Sequence, residues 1–213
     1  MNNTNSAGYY SNERKEMLRF IPSDAHFVLE VGCGGGIFGS AVKRVSGAEV
    51  WGIEIDNEAA LEAKVKLDKV VIGDISGIIP DIPDRKFDCI VFNDVLEHLV
   101  DPFSVLIAVK SKLTSKGVVV CSIPNMRYFP VLSRLLINKQ WKYEDWGVLD
   151  RTHLWFFTKK SIIDTFTELN YGILQLEGIN GINSWKFNLL NALLLGNISD
   201  TRYMQFACVA KPK

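Results

Sequence analysis

The stretch Val28-Leu29-Glu30-Val31-Gly32-Cys33-Gly34-Gly35-Gly36-Ile37-Phe38-Gly39 limits the fold more than any other part of the chain. An apolar run of strand character breaks into five glycines within eight residues and then resumes with helical spacing. Strand, bare turn and helix in that order open a parallel sheet wrapped by helices, and ligands of such sheets bind at the carboxyl edge. Glycine suits the turn because the backbone takes dihedrals that side chains resist, and because a ligand can then approach the main chain closely. Two patterns overlap: Gly32, Gly34 and Gly36 follow the strand as GxGxG, while Gly34, Gly36 and Gly39 spell the dinucleotide fingerprint GxGxxG.

Charge separates the two. A dinucleotide brings a pyrophosphate dianion to the loop and the helix N-terminus, and Glu30 is a poor neighbour for it. An ammonium or sulfonium group would be well placed beside that acid. The second strand, in Val50-Trp51-Gly52-Ile53-Glu54-Ile55-Asp56, carries Glu54 about twenty residues beyond the loop, where a carboxylate can accept from both ribose hydroxyls of either ligand. The third ends Val71-Ile72-Gly73-Asp74-Ile75, which offers a carboxylate to an adenine amino group and an apolar side chain to its ring. Asp74 reads equally as a turn or helix cap.

From residue 27 to 123, β-branched runs alternate with helical periods. Strands are predicted over Phe27 to Val31, Glu49 to Ile55, Lys69 to Ile72, Phe87 to Asn93 and Gly117 to Ile123, with helices over Ile37 to Val45, Asn57 to Lys66 and Pro102 to Leu113. Phe103, Leu106, Val109 and Leu113 make one buried stripe. After Pro124-Asn125 the next sixty or so residues hold four of the five tryptophans, Trp141, Trp146, Trp155 and Trp185, which marks a specialised cover rather than plain core. A helix from Ser161 to Leu169 and strands near Ile173 to Leu176 and Tyr203 to Ala210 complete the sheet. The length fits one domain: a cap (1–25), a cofactor-binding core (26–123), a lid (124–160) and completion of the sheet (161–213).

Lysine plus arginine and aspartate plus glutamate both total 24, so no net field recruits nucleic acid, which is not expected as a partner. Cys33, Cys89, Cys121 and Cys208 lack metal-ligand spacing, and three lie in apolar runs, which points to a reducing, cytoplasmic compartment. The polar start MNNTNSAGYYSNERKE has no signal core, and no run approaches the roughly 18 apolar residues of a membrane span.

In this order and spacing the motifs resemble the class I S-adenosylmethionine-dependent methyltransferases: LEVGCGGG looks like the first motif, GIEID the second-strand acid, GDI the adenine contact, and FDCIVFNDVLEHL the fourth-strand motif. The resemblance covers most of the chain. It implies a Rossmann-like α/β sheet of seven strands in the order 3-2-1-4-5-7-6, its last strand antiparallel, with S-adenosylmethionine as donor and S-adenosylhomocysteine as product. Carried onto matching positions, the donor contacts are Glu30, Gly32, Cys33, Gly34, Gly36, Glu54, Ile55, Asp74, Ile75, Asn93 and Asp94. GVLDRTHLWFFTKKSI resembles a subgroup found among bacterial surface-polysaccharide and O-antigen genes, distantly related to the ubiquinone-pathway methyltransferases, which implies methylation of a sugar, glycan or other small-molecule hydroxyl.

A hydroxyl acceptor needs a base near the transition state, and histidine is the usual choice. His26 precedes the first strand, at the wrong edge. His98 lies just past the fourth strand, in Asn93-Asp94-Val95-Leu96-Glu97-His98, where Asp94 and Glu97 read as a capping box. Asp94, Glu97 and His98 share a helical face but lack a further clear metal ligand, so no metal is expected. His153 follows Asp150, which can orient it, and Arg151 suits an anionic part of the acceptor. Tyr9 and Tyr10 either fold over the cofactor or belong to a mobile tail. The segment Arg127 to Trp146 reads as a lid packed on its own domain, as a cover for a lipid-linked sugar, or as a helix resting on a membrane surface. The rival readings are a nicotinamide-dependent oxidoreductase, with phosphate at Gly34 to Gly39, and a non-catalytic donor-binding module.

Overall fold

β-branched runs with few polar residues form strands buried on both faces, and five such runs assemble here as a parallel core. The computed structural model describes residues 13–213; Tyr9 and Tyr10 lie outside them. The strands are β1 (Phe27–Val31), β2 (Glu49–Glu54), β3 (Lys69–Ile72), β4 (Phe87–Asn93), β5 (Leu113–Pro124), β6 (Tyr171–Gly181) and β7 (Tyr203–Pro212). They lie in the order β3-β2-β1-β4-β5-β7-β6. β1 to β5 pair in parallel, and β7 runs antiparallel to both β5 and β6, as the resemblance implies.

Register sorts side chains onto two faces. In β1, Val28 stands beside Val50 and Cys89, while Leu29 stands beside Trp51 and Ile90. The first set packs under helix α2 (Ile37–Ser46) with Phe38, Val42 and Leu67. The second set packs with Phe92, Leu106, Ile162 and Phe166 beneath α5 (Pro102–Ala108) and α7 (Lys159–Glu168). The remaining helices are α1 (Lys15–Leu18), α3 (Asn57–Ala63), α4 (Ile75–Ile78), α6 (Phe129–Ile137) and α8 (Trp185–Leu193). Caps set several starts: the Asp56 carboxylate accepts from Ala59 N at 2.8 Å, and Asp101 accepts from Phe103 and Ser104.

The three largest differences in length from the sequence reading are at β5, β6 and α5. β5 starts at Leu113, where Phe87 pairs with Leu113 before a register shift brings Cys89 to Val118. β6 runs to Gly181 although Gln175, Glu177 and Asn180 interrupt its apolar pattern, because its ladder to β7 supplies the backbone bonds an edge strand needs. The stripe from Pro102 keeps an α-helix only to Ala108 and tightens into a 3-10 turn over Val109–Lys112. α8 is a helix with no counterpart in the sequence reading. Among the described residues no helix is long and apolar enough to cross a membrane.

Candidate functional site

The carboxyl ends of β1, β2 and β4 meet at the glycine turn. Gly32, Gly34 and Gly36 take φ of 68°, 51° and 74°, the left-handed region that glycine occupies without strain. Gly32 N and Cys33 N both donate to the Ile53 carbonyl, which ties the turn to β2. A Cβ on Gly32 would stand 2.6 Å from Val95 Cγ2, and one on Gly36 would stand 3.0 Å from Ala63 Cα. The cradle is thus bare because its neighbours leave no room. Cys33 is buried with its sulfur against Gly52 on β2, and burial pushes its thiol up.

Two acids flank the turn. Glu54 accepts from Gly34 N at 2.7 Å through Oε2 and from Asp56 N at 2.9 Å through Oε1, and each oxygen keeps a second lone pair. Glu30 does not project from the strand tip as an open charge. Its carboxyl is 3% exposed beneath α2, where Oε2 would lie 2.7 Å from a Gly39 Cβ. Burial, with a smaller push from Glu54, raises its pKa to about 8. Oε2 of Glu30 and both side-chain polar atoms of Asn93 are buried without a hydrogen-bond partner among the described residues. Unpaired buried polar atoms are costly, and these cluster at the same strand ends as the glycine cradle. A bare turn, the Glu54 carboxylate and an unsatisfied amide fit a cationic amino-acid nucleoside better than a pyrophosphate, while Glu30, protonated beneath α2, adds a polar group and not a charge.

At the carboxyl ends of β2 and β3 the residues divide. Asp74 caps α4 by accepting from Ser76 N at 2.9 Å, so the capping alternative is present. Ile75 is packed in the core with Ile79 and Ile82. Ile55, just past β2, is 69% exposed and is the apolar surface that an aromatic ring could cover.

Asp94 and Glu97 form no capping box, which corrects the sequence reading. Val95 occupies the N-cap of the 3-10 turn Leu96–His98 and no side chain caps it. Asp94, at φ 54°, instead accepts from Arg14, from Ser122 Oγ at 2.8 Å and from Gln205 Nε2 at 2.6 Å. Those partners come from three distant segments, so local spacing could not reveal them.

Glu97 meets His98 and His153, with one ligand atom of each within 4.8 Å of the others. The His98 and His153 rings contact edge to face, centroids 4.7 Å apart. Asp150 does not orient His153 as expected. The Val148 carbonyl lies 3.2 Å from His153 Nδ1, whereas Asp150 holds Thr152 Oγ1 at 2.6 Å and Thr152 Oγ1 lies 3.0 Å from His98 Nδ1. Burial, then the nearby His98, lowers the His153 pKa and keeps the ring neutral at pH 7. Arg151 pairs with Asp145 on the surface at 2.6 Å. His26 lies outside the site, its backbone N donating to Asp88. Around the pair stand Phe156, 6.3 Å from the His153 ring, then Trp141, 5.7 Å from Phe156, and Tyr143. Val131, Val148 and Leu149 pack this segment together, with Met204 of β7 against them. Sequence spacing could not join residues 97 and 153. Only the turn of the chain that delivers Leu154 N and Trp155 N to the Glu97 carbonyl does so.

Residues 7–176 match a family model described as "Methyltransferase domain". A ubiquinone biosynthesis O-methyltransferase of Xanthomonas campestris pv. campestris (strain B100) is 27% identical over 205 residues, covering 87% of this chain and 76% of the relative. One from Actinobacillus pleuropneumoniae serotype 5b is 36% identical over 107 residues, 46% of this chain and 45% of its own. Among solved structures, a SAM dependent methyltransferase from Archaeoglobus fulgidus superposes with a TM-score of 0.67 at 21% identity, over 92% of this chain and 91% of that one.

Proposed function

This chain belongs to the class I S-adenosylmethionine-dependent methyltransferases, and from that premise we propose that it methylates a hydroxyl oxygen of a sugar or glycan carried on a lipid. Membership removes the nicotinamide-dependent oxidoreductase reading. The donor supplies a methyl group on a sulfonium, so the protein's tasks are alignment, exclusion of water and management of the acceptor proton.

The observation that carries the oxygen-acceptor reading is the neutral His153 imidazole, buried beside His98 and Glu97 under an aromatic wall. A neutral imidazole at a hydroxyl can take its proton. Glu54 would hold the ribose hydroxyls, Gly32, Gly34 and Gly36 would admit the amino-acid portion, and Glu30 with Asn93 would complete its polar environment. Asp74 would reach the adenine amino group, with Ile55 bordering the ring and Ile75 supporting the turn from the core. Trp141, Tyr143 and Phe156 offer faces on which a sugar ring can pack. Leu136 and Ile137 on α6, and Leu195 beyond α8, are exposed close in sequence to Lys139, Lys142 and Lys186, a composition suited to the lipid part of an acceptor at a membrane surface. Cys121 and Cys208 stand opposite each other across β5 and β7, both free, which supports a reducing cytoplasmic setting.

The test is donor consumption over nucleotide sugars, lipid-linked saccharides and quinols, with the product methyl located by NMR. An O-methyl lipid-linked sugar is expected. Turnover on a quinol alone would overturn the sugar reading, and N- or C-methylation would overturn the oxygen reading.

A further inference from the structure

We propose that Glu97, His98 and His153 bind a divalent transition-metal ion of the zinc type. The inference rests on the hydroxyl-acceptor reading only for the ion's use, since the site itself is argued from its ligands.

Glu97 is fully buried, and neither carboxylate oxygen has a hydrogen-bond partner among the described residues. Its backbone carbonyl takes Leu154 N and Trp155 N, so the segment that delivers His153 is fastened to Glu97 itself. Among side chains, the Glu97 carboxyl meets two imidazoles, with His153 Nε2 standing 3.9 Å from Glu97 Oε1. A bare carboxylate away from water needs a proton or a cation, and nearby Asp94 is already committed to Arg14.

The imidazoles are braced as metal ligands usually are. A ligating histidine commonly gives its other ring N–H to a carbonyl or hydroxyl, which fixes the ring and the tautomer. His153 Nδ1 faces the Val148 carbonyl at 3.2 Å, leaving Nε2 for an ion. His98 Nδ1 faces the Thr152 carbonyl at 3.3 Å and Thr152 Oγ1 at 3.0 Å, and Asp150 in turn accepts from that hydroxyl. Two imidazoles and one carboxylate suit zinc and its first-row neighbours better than magnesium or calcium. Zinc distances of about 2.0–2.1 Å imply ligand atoms about 3.3 Å apart, so the 3.9 Å pair closes by about 0.6 Å and the widest pair, within 4.8 Å, by up to about 1.5 Å when an ion is taken up. Three protein ligands leave a position open, where an acceptor hydroxyl can coordinate and become more acidic; with the ion bound, His153 acts as a ligand in place of a free base, and the acidified hydroxyl gives its proton to water.

The test uses the full chain stripped with EDTA and titrated with Co2+, followed by visible absorption. A saturable d–d band at about one Co2+ per chain, displaced by Zn2+, is expected. Glu97→Gln and His153→Ala should each weaken Co2+ binding at least about tenfold, and Thr152→Val by about tenfold through loss of the brace. Titration with S-adenosylmethionine shows that each variant is folded. A wild-type chain that binds S-adenosylmethionine yet gives no saturable band overturns the proposal, and so does a band that the substitutions leave unchanged. Full methyl transfer in stripped protein would overturn the ion's part in holding the acceptor while leaving hydroxyl methylation standing. Saturable Co2+ binding with no oxygen acceptor in the screen would support the ion site and overturn the hydroxyl reading.

Discussion

Glu30 and Glu54 stand on neighbouring strands and meet different surroundings. Glu54 receives two backbone N–H groups, whereas Glu30 is shut beneath α2, and burial lifts its pKa to about 8 from an ordinary value of 4.5. The folded chain therefore binds a proton at Glu30 that the unfolded chain releases, so this contribution to stability is fully present below about pH 4.5 and is lost as pH rises through about 8. The shift corresponds to a few kcal/mol at 1.36 per unit. Thermal melts between pH 5 and 9 should show wild type losing stability more steeply than Glu30→Gln; parallel curves would mean that Glu30 is charged in the fold. His153 makes a second test. His153→Ala should lower kcat on the true acceptor about a hundredfold or more while leaving donor affinity within about threefold, measured by initial rates and calorimetric titration. Both acids were visible in the sequence as types and spacings. The surroundings of Glu30, Glu97 and Asp94 were not, because those of Glu30 and Glu97 are set by burial and those of Asp94 by Arg14, Ser122 and Gln205.

At the scale of elements, strand, turn and helix follow from local pattern: β1, β4 and the start of α2 fall where β-branched runs and the glycine break put them. The glycine turn is also where substitution should tell most. Gly32→Ala meets both φ 68° and the Val95 side chain at 2.6 Å, so it should cost about 1–3 kcal/mol of stability and weaken donor binding about tenfold or more, read by urea titration and calorimetry on the same sample. Gly47→Ala, at φ 71° with nothing within 4 Å, should cost about 1–2 kcal/mol and leave donor affinity unchanged. Elements fixed by long-range pairing were harder to read. β6 is an edge strand kept by its ladder to β7, and its polar residues hid all but a short core of it. α8 leaves most of one face exposed, including Trp185, Leu189 and Leu193, so its apolar residues lacked the stripe that marks a helix lying on a core.

The molecule as a whole places two different surfaces at one sheet edge. The side we assign to the donor is bare main chain with buried acids, and the side we assign to the acceptor is a histidine pair under half-exposed aromatics. The donor side was legible because its demands are local and geometric. The acceptor side joins residues more than fifty positions apart, and its lid carries exposed apolar side chains, Leu136 and Ile137 above all. If that surface meets lipid, Leu136→Asp with Ile137→Asp should cut sedimentation with anionic vesicles severalfold while leaving turnover of a detergent-dispersed acceptor unchanged. Equal sedimentation of variant and wild type would contradict membrane contact. The most direct measurement is the fate of the methyl group: wild type and His153→Ala incubated with methyl-labelled S-adenosylmethionine and lipid-linked saccharides, with product mapped by NMR. We expect one labelled O-methyl sugar from wild type and about a hundredfold less from the variant. Label on nitrogen or carbon, or equal product from both proteins, would contradict the assignment of this edge to hydroxyl methylation.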